Sequence, residues 1–130
     1  MEKKNLDWKH IGFAYHTTDY RYVADYKDGK WQEGYLSDSP TVVLNECAGI
    51  LQYCQEVFEG LKAYETADGR IVTFRSDLNA DRMYHSAERM EMPPFPRERF
   101  IEAVEKVVKA NEAWVPPYGS GATLYLRPYM

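Results

Sequence analysis

Cysteine and histidine are scarce in this chain, and their scarcity removes several kinds of chemistry. Cys47 and Cys54 are the only cysteines among 130 residues. Their spacing fits neither a CxxC redox pair nor a zinc site. If the segment between them is helical, they lie roughly 10 Å apart along the axis, too far for a disulfide. Buried thiols in a reducing compartment are the expectation. His10, His16 and His85 have no spacing that suggests metal ligation, so no metal site is expected. No carboxylate pair marks a glycosidase-like site. The glycines sit singly or in turns, which leaves no glycine-rich phosphate loop. No run of about 18 apolar residues exists to cross a membrane. The polar opening Met1-Glu2-Lys3-Lys4-Asn5 does not read as a signal peptide, and a cytoplasmic location is expected. Positive charge is not in excess: a net charge of −4 offers no attraction to nucleic acid or to an anionic membrane.

What is abundant is aromatic. Eleven tyrosines and three tryptophans help to bring the aromatic share to 15%. That is more than a small core requires, and some of those rings are expected to line a cavity or an interface. The balance of 45% hydrophobic and 28% charged residues is that of one soluble globular domain. Residues 1–19 read as an extended lead-in arm. A hairpin is expected over 20–36, turning at Lys27-Asp28-Gly29-Lys30. A short strand is expected at 41–44, and apolar residues recur at helical spacing within 45–57.

The stretch from Val57 to Ser86 organises the rest. Leu61 and Ala63 alternate with Lys62 and Tyr64, the period of a strand with two unlike faces. Ala67-Asp68-Gly69-Arg70 predicts a hairpin turn, and 71–74 are good strand formers. Ser76 stands where a helix N-cap belongs, with Asp77 opposing the helix dipole. A helix over 77–90 follows, with Ala80, Met83, Tyr84, Ala87 and Met90 on one face and Asn79, Arg82, Ser86 and Arg89 on another. Pro93-Pro94-Phe95-Pro96 ends it. A second helix spans 98–113, with Phe100, Ile101, Val104, Val107 and Val108 inward, and a last strand spans 122–127. Strands followed by a hairpin and two helices predict an α+β fold, an antiparallel sheet with two main helices packed on it.

Phe58-Glu59-Gly60-Leu61-Lys62-Ala63-Tyr64, Leu78-Asn79-Ala80-Asp81-Arg82-Met83 and Tyr125-Leu126-Arg127-Pro128 agree in order and spacing with one family. Together they resemble the N-terminal part of branched-chain amino acid aminotransferases, pyridoxal-phosphate enzymes of fold type IV. The resemblance covers nearly the whole chain after Thr17. It implies a single small N-terminal domain, with the larger cofactor-binding domain absent. The implied reaction moves an amino group between leucine, isoleucine or valine and 2-oxoglutarate, in a homodimer. Arg82 falls at the position of the cofactor-phosphate arginine, where a planar fork of donors suits phosphate oxygens. Tyr53, Phe58 and Tyr125 match positions that wall the substrate pocket, and Tyr53 matches the one reaching into the partner subunit. Arg127 is linked to carboxylate handling; it shares a strand face with Tyr125. Lys62 is read as structural, because the resemblance places the lysine that forms the Schiff base beyond Met130. The 130 residues alone are therefore expected to be inactive. Without the resemblance, Arg82 reads as an exposed helix arginine and the aromatics as core. Two alternatives stay open. One is another fold type IV enzyme, a D-amino acid aminotransferase or an aminodeoxychorismate lyase. The other is a non-catalytic module that self-associates through its aromatic surface.

Overall fold

A computed structural model describes residues 2–130. The order is β1 (Arg21–Val23), β2 (Tyr26–Lys27), β3 (Lys30–Trp31), β4 (Tyr35–Ser37), α1 (Gly49–Tyr53), β5 (Leu61–Glu65), β6 (Ile71–Thr73), α2 (Ser76–Arg89), α3 (Arg97–Ala110) and β7 (Leu124–Leu126). The fold is α+β with antiparallel pairing and two main helices, as the sequence predicts. Residues 2–20 carry neither helix nor strand. They are fastened by a hydrogen bond from the Lys4 amide to the Ala113 carbonyl at 3.0 Å and by a Lys3–Glu65 ion pair at 2.7 Å. Met1, where the predicted arm begins, lies outside the described residues.

The hairpin expected over 20–36 is present but split into two ladders. β1 pairs with β4, and β2 pairs with β3. Asp28 and Gly29 both take positive φ, 54° and 75°. This is the two-residue turn whose twist matches that of paired strands. The ladder breaks where the Tyr22 ring lies against Gly34, in space that a Cβ would fill. Residues 41–44 form no strand. Their approach is pinned instead by the Arg21 guanidinium, which donates to the carbonyls of Ser39 at 2.5 Å and Thr41 at 2.7 Å.

Helical spacing within 45–57 is realised only as α1, which stops at Cys54 in the left-handed region and buries none of its residues. Both cysteines are exposed and unpaired, which corrects the expectation of buried thiols. A five-residue helix without an inward face gives neither thiol a core to enter. Both thiols should therefore react with a thiol reagent in the native protein, at the rate seen after denaturation to within a few-fold. Protection of either would contradict this exposure.

The main sheet has the order β6-β5-β7. The β5–β6 turn closes through Thr66, whose amide donates to the Arg70 carbonyl at 2.8 Å, with Gly69 at φ +79°. Leu61, Ala63 and Leu126 present the sheet's inner face to Ala80, Met83 and Ala87 of α2. Phe100, Val104 and Val108 of α3 complete the core with Val115. Alternation on the strand and recurrence at three and four residues on the helices thus converge on one apolar layer.

Both helix boundaries shift from their expected places. Ser76 is already the first residue of α2 and makes no capping bond. The preceding Arg75 takes φ 49° and turns the chain into the helix, its guanidinium clasping Asp77 at 2.8 and 2.9 Å. At the other end, α3 stops at Ala110 because Asn111 faces a different partner. Its buried side chain accepts from the Tyr20 amide at 3.0 Å and donates to the Tyr20 and Val107 carbonyls at 2.8 Å. A single 3-10 turn, Glu112–Trp114, follows. Met90, expected on the apolar stripe of α2, is exposed at the helix end.

Candidate active site

The strand alternation extends back beyond β5. Val57, Glu59, Leu61 and Ala63 are buried, while Phe58, Gly60, Lys62 and Tyr64 are exposed. Residues 57–59 pair with the chain's last three residues. The Glu59 amide donates to the Pro128 carbonyl at 2.8 Å, and Phe58 bridges to Tyr129. This pairing brings three residues distant in sequence, Phe58, Tyr125 and Arg127, to one outward surface. The Arg127 guanidinium lies 4.6 Å from the Phe58 ring centre and 5.2 Å from that of Tyr125. Its Nε donates to the Tyr125 hydroxyl at 2.9 Å. Two aromatic neighbours and a hydroxyl hold a cation that is itself exposed, a geometry suited to meeting a carboxylate.

Gly60 makes this arrangement possible. A Cβ there would sit 2.5 Å from the Tyr125 hydroxyl oxygen and 3.2 Å from two ring carbons. Gly60→Ala is expected to destabilise the protein by about 1–2 kcal/mol through overpacking. Removing the hydroxyl with Tyr125→Phe should recover part of the loss in a double-mutant cycle of unfolding free energies.

On the inward side, Glu59 is only 7% exposed, whereas the side chain of Arg82 is 62% exposed. They form a fork. Arg82 Nε donates to Oε1 at 2.8 Å and a terminal nitrogen donates to Oε2 at 2.6 Å. Asn79, three residues earlier on the same helix face, donates to Oε2 at 2.8 Å and to the Gly60 carbonyl at 3.2 Å. Burial is the largest influence on Glu59 and pushes its pKa up. Hydrogen bonds from Arg82 and Asn79, the Arg82 charge and the Gly60 amide together outweigh it, and the carboxyl ends below its ordinary 4.5. The hydrogen bonds and charge of Glu59 in turn raise the Arg82 pKa.

The sign of the pH dependence follows. A carboxyl whose pKa is lower in the folded state contributes stability that is full above the unfolded value. That contribution is lost as pH falls through the folded value. Glu59→Gln is expected to destabilise by about 1–3 kcal/mol at neutral pH. The difference from the parent protein should shrink below pH 4.5, the ordinary value. Urea unfolding at neutral pH and at pH values below the transition would check it. A gap that widened in acid would contradict it.

Arg82 also lines an open groove of about 730 Å³, together with Phe58, Leu78, His85, Ser86 and Arg89. Phe58 is therefore common to the groove and to the Arg127 cluster. Tyr125 and Arg127 are not among the groove's walls, and neither is Tyr53, which is 83% exposed at the end of α1. The residues singled out from the sequence thus lie in three places: Arg82 with Phe58 in the groove, Phe58 with Tyr125 and Arg127 on the outward face, and Tyr53 apart. Lys62 is exposed and pairs across the ladder with Tyr125. Glu59 and Asn79 were missed by the sequence reading. The signal was available: a charged residue at an inward position of an alternating strand requires partners.

The guanidinium fits a phosphate. Glu59 occupies two of its five donors, the others have no partner among the described residues, and Arg82 lines a groove that also carries Arg89, His85 and Ser86.

The fold is an antiparallel sheet carrying two main helices, and the proteins this chain is similar to are fold type IV aminotransferases. Its relatives narrow that class. Branched-chain-amino-acid aminotransferases of Haemophilus influenzae and Helicobacter pylori are 53% and 46% identical to it over 127 residues. Each alignment covers 98% of this chain and 37% of the relative. The mitochondrial branched-chain-amino-acid aminotransferase 1 of Arabidopsis thaliana is 45% identical over 130 residues, covering 99% of this chain and 34% of the relative. A methionine aminotransferase of the same plant is 44% identical. No family model matches the chain. The chain matches the N-terminal portion of branched-chain amino acid aminotransferases and spans about a third of their length.

Proposed function

We propose that these residues are the small N-terminal domain of a pyridoxal-phosphate-dependent branched-chain amino acid aminotransferase that acts as a homodimer in the cytoplasm. The reaction is amino transfer between leucine, isoleucine or valine and 2-oxoglutarate. The observation that most supports this reading is the match to aminotransferases of that name over 98% of the chain. Pyridoxal phosphate, when bound, supplies the electron sink that makes the amino acid's Cα proton removable.

In this reading the chain's own residues bind and orient. Arg82 holds the phosphate through the donors that Glu59 leaves free. Arg127, stacked on Phe58 and bonded to Tyr125, meets the carboxylate of glutamate or 2-oxoglutarate. The rings of Phe58 and Tyr125 receive branched aliphatic side chains, and the tyrosine hydroxyl accommodates the more polar substrate. Tyr53, standing clear of its own groove, is the residue offered to the partner subunit. Exposed Val42, Val43 and Leu44 in the segment leading to α1, and exposed Leu51 within it, support a surface that is covered in the dimer. The lysine that carries the cofactor belongs to the larger domain.

Two measurements test the proposal. Full-length protein should transfer amino groups from L-leucine, L-isoleucine and L-valine to 2-oxoglutarate, with L-methionine and D-alanine included in the profile. Activity confined to D-amino acids would overturn it. The 130 residues alone, mixed with pyridoxal phosphate, should develop no protonated-Schiff-base absorbance band that borohydride fixes onto one lysine. Such a band, fixed stoichiometrically on Lys62 alone, would overturn the placement of the cofactor-bearing lysine in the larger domain.

A further inference from the structure

Glu59 is a buried charged residue to which the proposed reaction assigns no task. We propose that Glu59 is the positioning residue of the phosphate site. It fixes one edge of the Arg82 guanidinium so that the opposite edge is presented to the groove. The inference rests on Arg82 being the phosphate ligand, as argued above.

Four observations carry it. First, among the described residues the hydrogen bonds of the Arg82 side chain all go to Glu59, and they engage Nε and one terminal nitrogen as a fork rather than a single contact. A fork fixes rotation as well as position. Second, the carboxylate is itself immobile. It is 7% exposed, it sits on the inward side of the 57–63 alternation, and Asn79 takes one of its oxygens at 2.8 Å. Third, the guanidinium stands on a long stem whose side chain is 62% exposed, so little besides this fork restrains it. Fourth, another carboxylate, Glu56, lines the same groove and would compete for an unanchored arginine. The neighbouring Asp81 is already taken by Arg97 at 2.5 Å.

Glu59 also has an opposing effect, because its charge offsets part of the arginine's attraction for an anion. Orientation is expected to outweigh it. The carboxylate's charge is shared with the Asn79 amide and the Gly60 backbone, whereas nothing else in the site can restore the guanidinium's aim.

The test compares binding of pyridoxal phosphate and of unphosphorylated pyridoxal to full-length protein and its variants. Glu59→Gln is expected to weaken pyridoxal phosphate about tenfold while leaving pyridoxal within about twofold. Glu59→Asp, which keeps the charge but withdraws it by one methylene, should fall between. Arg82→Ala should abolish the preference for the phosphorylated form, and adding Glu59→Gln to it should have no further effect. If Glu59→Gln proves too unstable, the Glu59→Asp and Asn79→Ala variants carry the same comparison. An independent readout is the Arg82 Nε–H signal in NMR spectra without ligand. It should exchange slowly with solvent in the parent protein and quickly in Glu59→Gln. If Arg82→Ala leaves the phosphate preference intact, the reading of Arg82 falls. If Arg82→Ala abolishes it but Glu59→Gln binds pyridoxal phosphate as well as or better than the parent, that reading stands and the role given to Glu59 is overturned.

Discussion

Replacing Phe100 by alanine is expected to cost about 3–5 kcal/mol of unfolding free energy. The ring is 4% exposed and sits on α3 within the layer that joins both helices to the main sheet. Its loss removes apolar area from the core and leaves a cavity that its neighbours cannot close without moving α3 away from α2. Domains of this size have total stabilities of about 5–15 kcal/mol, so the variant should retain a small margin or none. Phe74→Ala is the matched control. That ring is 81% exposed at the end of the β6 hairpin, and its removal should change stability by no more than about 0.5 kcal/mol. Urea midpoints of the two variants would decide the matter, and similar losses would mean that the core is misassigned.

The second large effect is on binding. Arg82→Ala in full-length protein is expected to reduce affinity for pyridoxal phosphate roughly 10–100-fold. This is the loss of one or two hydrogen bonds to a doubly charged group. Stability should move the other way from what a simple deletion suggests at low pH. Without Arg82, Glu59 stays buried with Asn79 as its remaining side-chain donor, and its carboxyl rises toward protonation. The variant should therefore lose stability at neutral pH and recover part of it in acid. Spectroscopic titration with the cofactor, set beside unfolding at two pH values, separates the lost ligand from the orphaned carboxylate. Unchanged affinity would remove Arg82 from the phosphate site.

Periodicity carried most of the fold. Leu61 and Ala63 against Lys62 and Tyr64, and the helical spacing of Ala80, Met83, Ala87, Phe100, Val104 and Val108, place these residues in the core as the structure does, whereas Tyr84 and Met90 of the expected stripe stay outside it. What was not legible depended on single side chains reaching across the molecule. Asn111 ends α3 by binding the backbone of residue 20, and Arg75 replaces Ser76 at the entrance to α2 by taking a left-handed conformation. Neither event leaves a local pattern. For the candidate site, the motif around Phe58 and the one around Arg82 were visible, yet their connection was not. That connection runs through Glu59, a charge read as part of a motif rather than as an inward position. Tyr125 and Arg127 were correctly placed on one strand face. Their meeting with Phe58 required knowing that residues 57–59 pair with the end of the chain.

The segment Val57–Ala63 has a further implication for how such a chain tolerates change in length. With burial strictly every second residue, deleting or inserting one amino acid there would turn Glu59 toward solvent and drive Phe58 or Lys62 into the interior. Length in this segment is in effect quantised in steps of two, and even a two-residue step would shift Glu59 by about 7 Å along the strand, out of reach of Arg82. Drift in neighbouring loops is free to accumulate residues one at a time; here it must leave the count alone.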